Sequence, residues 1–130
     1  MMNKKRILII DDDENMRHAI LRLLSTVGKY DIEEACDGFA AERQIKEFSP
    51  HLIILDIKMP EKDGYEVCYN IRKDAGMDAI KIVAISRLAP GLAGNIGDAI
   101  MSALGADCFF QKPFDNDKFK NGIATLLAEV

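Results

Sequence analysis

Ile7-Leu8-Ile9-Ile10-Asp11-Asp12-Asp13 is the stretch that decides the fold. Its apolar residues leave no polar face at the two-residue repeat of a strand, so they read as a strand buried on both sides, as in a parallel sheet. A second run of the same kind, Leu52-Ile53-Ile54-Leu55, stops at Asp56. In an open α/β sheet, ligands bind beyond the carboxyl ends of the strands, where the strand order reverses. Carboxylates at two such ends therefore predict a cation site created by the topology itself.

Working outward, strand and helix signals alternate five times. Met16, Ala19, Ile20, Leu23, Leu24 and Val27 recur at helical spacing, and Gly28 can close that helix. Residues 31–36 read as a short strand. Phe39, Ala41, Ile45 and Phe48 mark a second helix that ends before Pro50. After the strand 52–56, Met59-Pro60 and Asp63-Gly64 punctuate a loop, and Tyr65, Val67, Cys68 and Ile71 fit a third helix. Ile80 to Ser86 is a fourth strand. A stretch holding Gly91, Gly94 and Gly97 leads to a helix over Ile96, Ala99, Ile100, Ala103 and Leu104, with Gly105 as its C-cap. Residues 106–110 form the fifth strand, Lys112-Pro113 a turn, and Phe119, Ile123, Leu126, Leu127 and Val130 the last helix. Five βα units predict one doubly wound α/β domain over residues 1–130, with helices on both faces of a parallel sheet. The flavodoxin-like strand order 2-1-3-4-5 reverses between the first and third strands and would place the aspartate run beside Asp56.

The totals exclude several classes. At 130 residues and 48% hydrophobic content the chain can bury an ordinary core. A net charge of −4 argues against direct nucleic-acid binding, which needs a basic face. Lys4-Lys5-Arg6 precedes too short an apolar run for a secretory signal, and no stretch approaches a membrane span, so a cytoplasmic location is expected. Cys36, Cys68 and Cys108 form no C-x-x-C pair and read as buried thiols; His18 and His51 lack metal-ligand spacing and read as incidental.

The aspartates carry the chemistry. A helix N-cap explains one of the first cluster, Asp12 or Asp13, but not the others. Two carboxylates about 4 Å apart repel by about 4 kcal/mol at an effective dielectric of 20. A divalent ion relieves that repulsion, and an all-oxygen ligand set suits Mg²⁺. Asp11 and Asp12 are thus the metal candidates, while Asp13 suits the helix start. Asp56, following a buried strand, is the nucleophile candidate, since a carboxylate can accept a phosphoryl group as an acyl phosphate. Lys112, fixed by Pro113 just past the fifth strand, and Ser86, which closes the fourth, could supply an ammonium and a hydroxyl to a carboxylate or a phosphoryl oxygen; a solvated surface charge and a satisfied polar strand end are the plain alternatives.

These residues carry a resemblance. Residues 7–17, 52–64, Ala84-Ile85-Ser86 and Lys112-Pro113-Phe114 together resemble the response-regulator receiver domain of two-component signalling, and the likeness spans essentially the whole chain. The resemblance implies that Asp11 and Asp12 form the metal-binding acidic pair and that Asp56 is the phosphoacceptor, with the backbone carbonyl of Lys58 as a further metal ligand. Ser86 takes the switch hydroxyl and Lys112 the partner lysine, before a peptide expected to be cis. Phe109 falls where the family places its rotating aromatic; ordinary core packing is the plain alternative. Arg87 stands where the family usually has a small residue, and is expected to lie beside the Asp56 mouth and shield the acyl phosphate; attraction of the phosphoryl donor, or a side chain that only faces solvent, are the alternatives. The stretch from Ser86 to Lys112 is about four residues longer than usual, a feature more often mobile or functional than neutral.

The expected function is a phosphorelay receiver. A sensor histidine kinase or histidine phosphotransfer protein presents phosphohistidine, and the domain moves the phosphoryl group onto Asp56 with Mg²⁺. It is otherwise no enzyme. Ser86 and Phe109 would then shift a surface made by the fourth helix, fifth strand and fifth helix, read by a downstream effector or a covalently attached output domain. The domain is expected to be a monomer or a phosphorylation-dependent dimer that contacts neither nucleic acid nor membrane. A pseudo-receiver that binds partners without being phosphorylated is the alternative; its mark is loss of the acceptor or the acidic pair. A flavin carrier of the same fold is disfavoured, because a triply acidic first loop repels a flavin phosphate.

Overall fold

Ile10 lies opposite Leu55 in the sheet register, so the next residue on each strand, Asp11 and Asp56, emerge side by side. This pairing comes from a computed structural model that describes residues 4–57, 64–74, 76–86 and 105–130. The strands are β1 (Arg6–Ile10), β2 (Asp31–Ala35), β3 (Leu52–Asp56), β4 (Lys81–Ser86) and β5 (Cys108–Gln111). All pairings are parallel and the order is β2-β1-β3-β4-β5. The described helices are α1 (Glu14–Ser25), α2 (Gly38–Phe48), α3 (Gly64–Lys73) and a C-terminal helix (Asn116–Ala128). The helix expected over 96–104, the turn at Met59-Pro60 and Asp63, the stretch with Gly91, Gly94 and Gly97, and the positions of Lys58 and Arg87 lie outside the described residues.

Strand alternation divides the core in two. Leu8, Ile10, Ile53, Leu55, Ile82 and Ala84 face α2 and α3. Ile7, Ile9, Leu52, Ile54, Val83 and Ile85 face α1 and the C-terminal helix. Each buried Ile or Leu contributes about 1.5–3 kcal/mol, so the continuous apolar strands are what a sheet covered on both faces requires. Three aspartates start helices: the carboxylates of Asp13, Asp37 and Asp115 accept N–H groups of the first turns of α1, α2 and the C-terminal helix.

Several sequence expectations need correction. α1 has Thr26 as its C-cap in right-handed geometry: the Thr26 N–H bonds the Leu23 carbonyl at 3.1 Å, and the Val27 and Gly28 N–H groups bond the Leu24 carbonyl, so Gly28 helps to close the helix without a left-handed conformation. Phe39 is 61% exposed, because the inward stripe of α2 runs through Gly38, Ala41 and Ile45 and position 39 lies off it. Val130 falls beyond the last helix and is exposed. Of the cysteines only Cys68 is buried, its thiol pushed up to about 12 by burial, whereas Cys36 at the end of the edge strand faces solvent. His51 is not incidental to the fold: its Nδ1 accepts the Arg6 N–H at 2.9 Å, tying the start of β1 to β3. Among the described residues no helix is long and apolar enough to cross a membrane.

Candidate metal and phosphoacceptor site

Asp11 is the first residue past β1 and is completely buried. Every polar group it has is engaged. Its N–H donates to the Ala35 carbonyl at 3.1 Å, extending the β1–β2 pairing by one rung. Its carbonyl accepts from Arg17 Nη1 at 2.7 Å. Of its carboxylate oxygens, Oδ1 accepts the Asp13 N–H at 2.9 Å and Oδ2 accepts from Lys112 Nζ at 3.0 Å. Asp13 is thereby committed to the turn and the helix cap, which resolves the choice of cap residue in its favour.

Asp56 ends β3 and is 7% exposed. Its Oδ2 also accepts from Lys112 Nζ, at 3.2 Å. Asp12 is exposed at the mouth, and one carboxylate oxygen from each of Asp11, Asp12 and Asp56 falls within a 4.8 Å span. Two backbone bonds fix the next residue, Ile57: its N–H bonds the Ile85 carbonyl at 3.0 Å, and its carbonyl accepts the Gly64 N–H at 2.7 Å.

Lys112 follows β5, and the Lys112–Pro113 peptide is cis, as the family resemblance implies. Its N–H donates to the Ser86 carbonyl at 2.8 Å, which brings the ends of β4 and β5 together. Ser86 itself is buried at the last position of β4. Phe109 sits in β5 opposite Ala84 and packs, partly buried, on the α2–α3 side of the sheet. Its neighbour Phe110 points to the other side, against Phe114 and Phe119.

The electrostatics follow from one ammonium bonded to two of three neighbouring carboxylates, Asp11 and Asp56. Burial raises the Asp11 carboxyl above its ordinary 3.8, and the Asp13 N–H and Lys112 only partly offset it. Burial alone would lower the Lys112 ammonium, yet its bonds to Asp11 and Asp56 outweigh this and hold it above 10.5. Counting Asp11, Asp12 and Asp56 at −1 each and Lys112 at +1 leaves −2, which is the charge a divalent cation cancels. The donors are all oxygen, the set that suits Mg²⁺.

Sequence reasoning thus named the residues that meet here, Asp11, Asp12, Asp56, Lys112 and Ser86; Lys58 lies outside the described residues. Arg17, at the end of the 7–17 stretch, carries no sequence signal of its own beyond its spacing. Arg17 lies four residues after the capping Asp13, one turn into α1, and that spacing alone turns its side chain back toward the strand end. A groove of about 280 Å³ between α2 and α3, lined by Glu42, Ile45, Val67 and Asn70 among others, shares no residue with this site.

A doubly wound sheet with carboxylates at its switch point defines a class of α/β domains with a candidate cation site. Within that class, residues 7–124 match the response regulator receiver domain family, and the chain belongs to it. It is 35% identical over 129 residues to the probable transcriptional regulator ycf27 of Porphyridium aerugineum, covering 99% of this chain and 50% of that protein. It is 34% identical to the DNA-binding dual master transcriptional regulator RpaA of Synechocystis, covering 94% of this chain and 48% of RpaA. The chain therefore spans about half the length of the curated relatives it matches. The signal receiver domain of the DNA binding response regulator protein merR from Colwellia psychrerythraea has the same fold, with a TM-score of 0.85 at 24% identity over 95% of this chain and 98% of that one.

Proposed function

We propose that this receiver domain takes a phosphoryl group from a phosphohistidine of a sensor kinase or phosphotransfer protein onto Asp56. The observation that carries the reading is the buried Asp56 carboxylate held by Lys112 beside Asp11 and Asp12. An Asp56 carboxylate oxygen attacks phosphorus, the P–N bond breaks, and its electron pair returns to the imidazole. Asp56 then carries an acyl phosphate. Lys112 orients Asp56 before transfer and offers its ammonium to the phosphoryl oxygens afterwards; positioning and charge neutralisation are the whole of the catalysis. Asp11, Asp12 and Asp56, joined by the Lys58 carbonyl as the family likeness implies, would hold Mg²⁺, which when bound neutralises phosphoryl charge.

Ser86 and Phe109 are the proposed switch. The phosphoryl group adds about two negative charges and several acceptor oxygens beside the end of β4. The Ser86 hydroxyl turns to one of them, and Phe109 turns inward on the side of the sheet where it already packs. The output then passes through a separate effector or an attached domain. Relatives about twice as long carry the names of transcriptional regulators, which favours an attached DNA-binding part for a protein containing this chain. The domain works in the cytoplasm, where kinase and effector meet it. The intact acceptor and acidic pair argue against a pseudo-receiver.

Beryllofluoride, a phosphoryl mimic, tests the site without a kinase. Fluorine NMR is expected to give a bound signal with wild-type protein in Mg²⁺, none in excess EDTA, and none for Asp56→Asn. A bound signal of equal intensity in Asp56→Asn would move the acceptor elsewhere.

A further inference from the structure

We infer that Arg17 is a positioning residue for the acidic pair, acting through the backbone of Asp11; this rests on the metal-site reading above. The carbonyl it grips, Asp11 C=O at 2.7 Å, belongs to the peptide plane that joins Asp11 to Asp12. Fixing that plane fixes the direction in which Asp12 leaves β1. The Asp11 N–H and side chain are tied separately, to Ala35 and to Asp13 and Lys112, but none of those bonds sets the next peptide's orientation from the carbonyl side.

The guanidinium is itself held. Its Nε donates to Glu34 Oε1 at 3.1 Å, and its side chain is 15% exposed, so the fork is pinned between β2 and the end of β1. The Glu34 carbonyl in turn accepts from Gln44 of α2 at 2.9 Å. α1, β2 and α2 are therefore fastened to the one carbonyl that aims Asp12. A planar two-point donor suits this task, whereas a lysine offers a single rotating ammonium. Partners that orient metal ligands without touching the metal typically change affinity by about 10–100-fold when removed.

Two effects of Arg17 on a cation have opposite signs, and this makes the inference testable. As a positive charge near the site it repels Mg²⁺, so plain electrostatics predicts tighter binding in Arg17→Ala. As a positioning group it assembles the ligands, so the inference predicts weaker binding. Calorimetric titration with MgCl₂ is expected to give a dissociation constant raised about tenfold in Arg17→Ala, at unchanged circular dichroism, with Arg17→Lys between the two. Glu34→Ala frees the fork but leaves α1 intact, and is expected to weaken binding in the same direction by a smaller factor. It decides the matter should Arg17→Ala not fold. Affinity equal to or tighter than wild type in the folded variants overturns the positioning role. If Asp11→Ala still abolishes binding in that case, the metal site stands and only the role of Arg17 falls. Absence of Mg²⁺ binding by the wild type would overturn both.

Discussion

Asp11 combines full burial with a carboxylate that burial holds above its ordinary titration range, although Lys112 touches it. A group whose folded value is raised favours folding while protonated, and that contribution is lost as pH rises through the folded value. At neutral pH the ionised Asp11 is thus a net cost to the fold. Asp11→Asn keeps an oxygen for the Asp13 N–H and leaves Lys112 paired with Asp56. It is expected to stabilise the metal-free domain at pH 7 by about 1 kcal/mol, the scale of relieving one functional-site conflict. Urea midpoints of the two proteins check this: the gap should close as pH falls toward 3.8. A variant no more stable than wild type at pH 7 would mean that Lys112 fully compensates Asp11. The identities of these acids were legible because carboxylates directly after apolar strands have few other uses. The sharing of Lys112 was not, since residues 101 positions apart in sequence meet only through the sheet.

At the scale of elements, the junction of β3 and α3 shows how closely the chain is fitted around Asp56. A Cβ on Gly64 would stand 2.6 Å from the Ile57 Cα and 2.7 Å from the Asp56 carbonyl, both backbone atoms that cannot swing aside. Gly64→Ala is therefore expected to destabilise the domain by about 2 kcal/mol, the scale of overpacking a tight site. Because the strain falls on Asp56, Mg²⁺ affinity should drop as well. Thermal melts and calorimetry would test both, and an unchanged melting midpoint with unchanged affinity would refute the close approach. From sequence, Asp63-Gly64 reads simply as a turn; the close approach appears only once α3 lies on the strand end. The strands β1, β3 and β4 were readable almost to the residue, being continuously apolar. The expected fifth strand starts two residues before β5 and ends one residue before it, because Asp107 uses its side chain to accept the Ile82 N–H at 2.8 Å, and regular pairing starts only at Cys108. Arg72 reinforces that end, donating to the Gly105, Asp78 and Ile80 carbonyls and to Asp107 Oδ2, a set of partners no local pattern announces.

For the whole molecule, strand order converts four sequence-distant segments into one reactive mouth. β1 and β3 are neighbours at the reversal of the sheet, and β4 and β5 complete the row, so Asp11, Asp56, Ser86 and Lys112 all leave the same edge. That convergence was legible, since an apolar βα repeat with acids at strand ends admits few topologies. What the sequence could not supply was the support behind the mouth: Arg17 on the Asp11 carbonyl, Glu34 behind it, and the Ser86–Lys112 backbone bond. These depend on distances set by packing rather than by any pattern along the chain. The central claim is that this mouth makes Asp56 a phosphoacceptor. Intact-mass spectrometry after incubation with acetyl phosphate tests it most directly. The mass of one added phosphoryl group is expected on the wild type with Mg²⁺, and none with EDTA or on Asp56→Asn; equal incorporation in wild type and Asp56→Asn would rule out Asp56 as the acceptor.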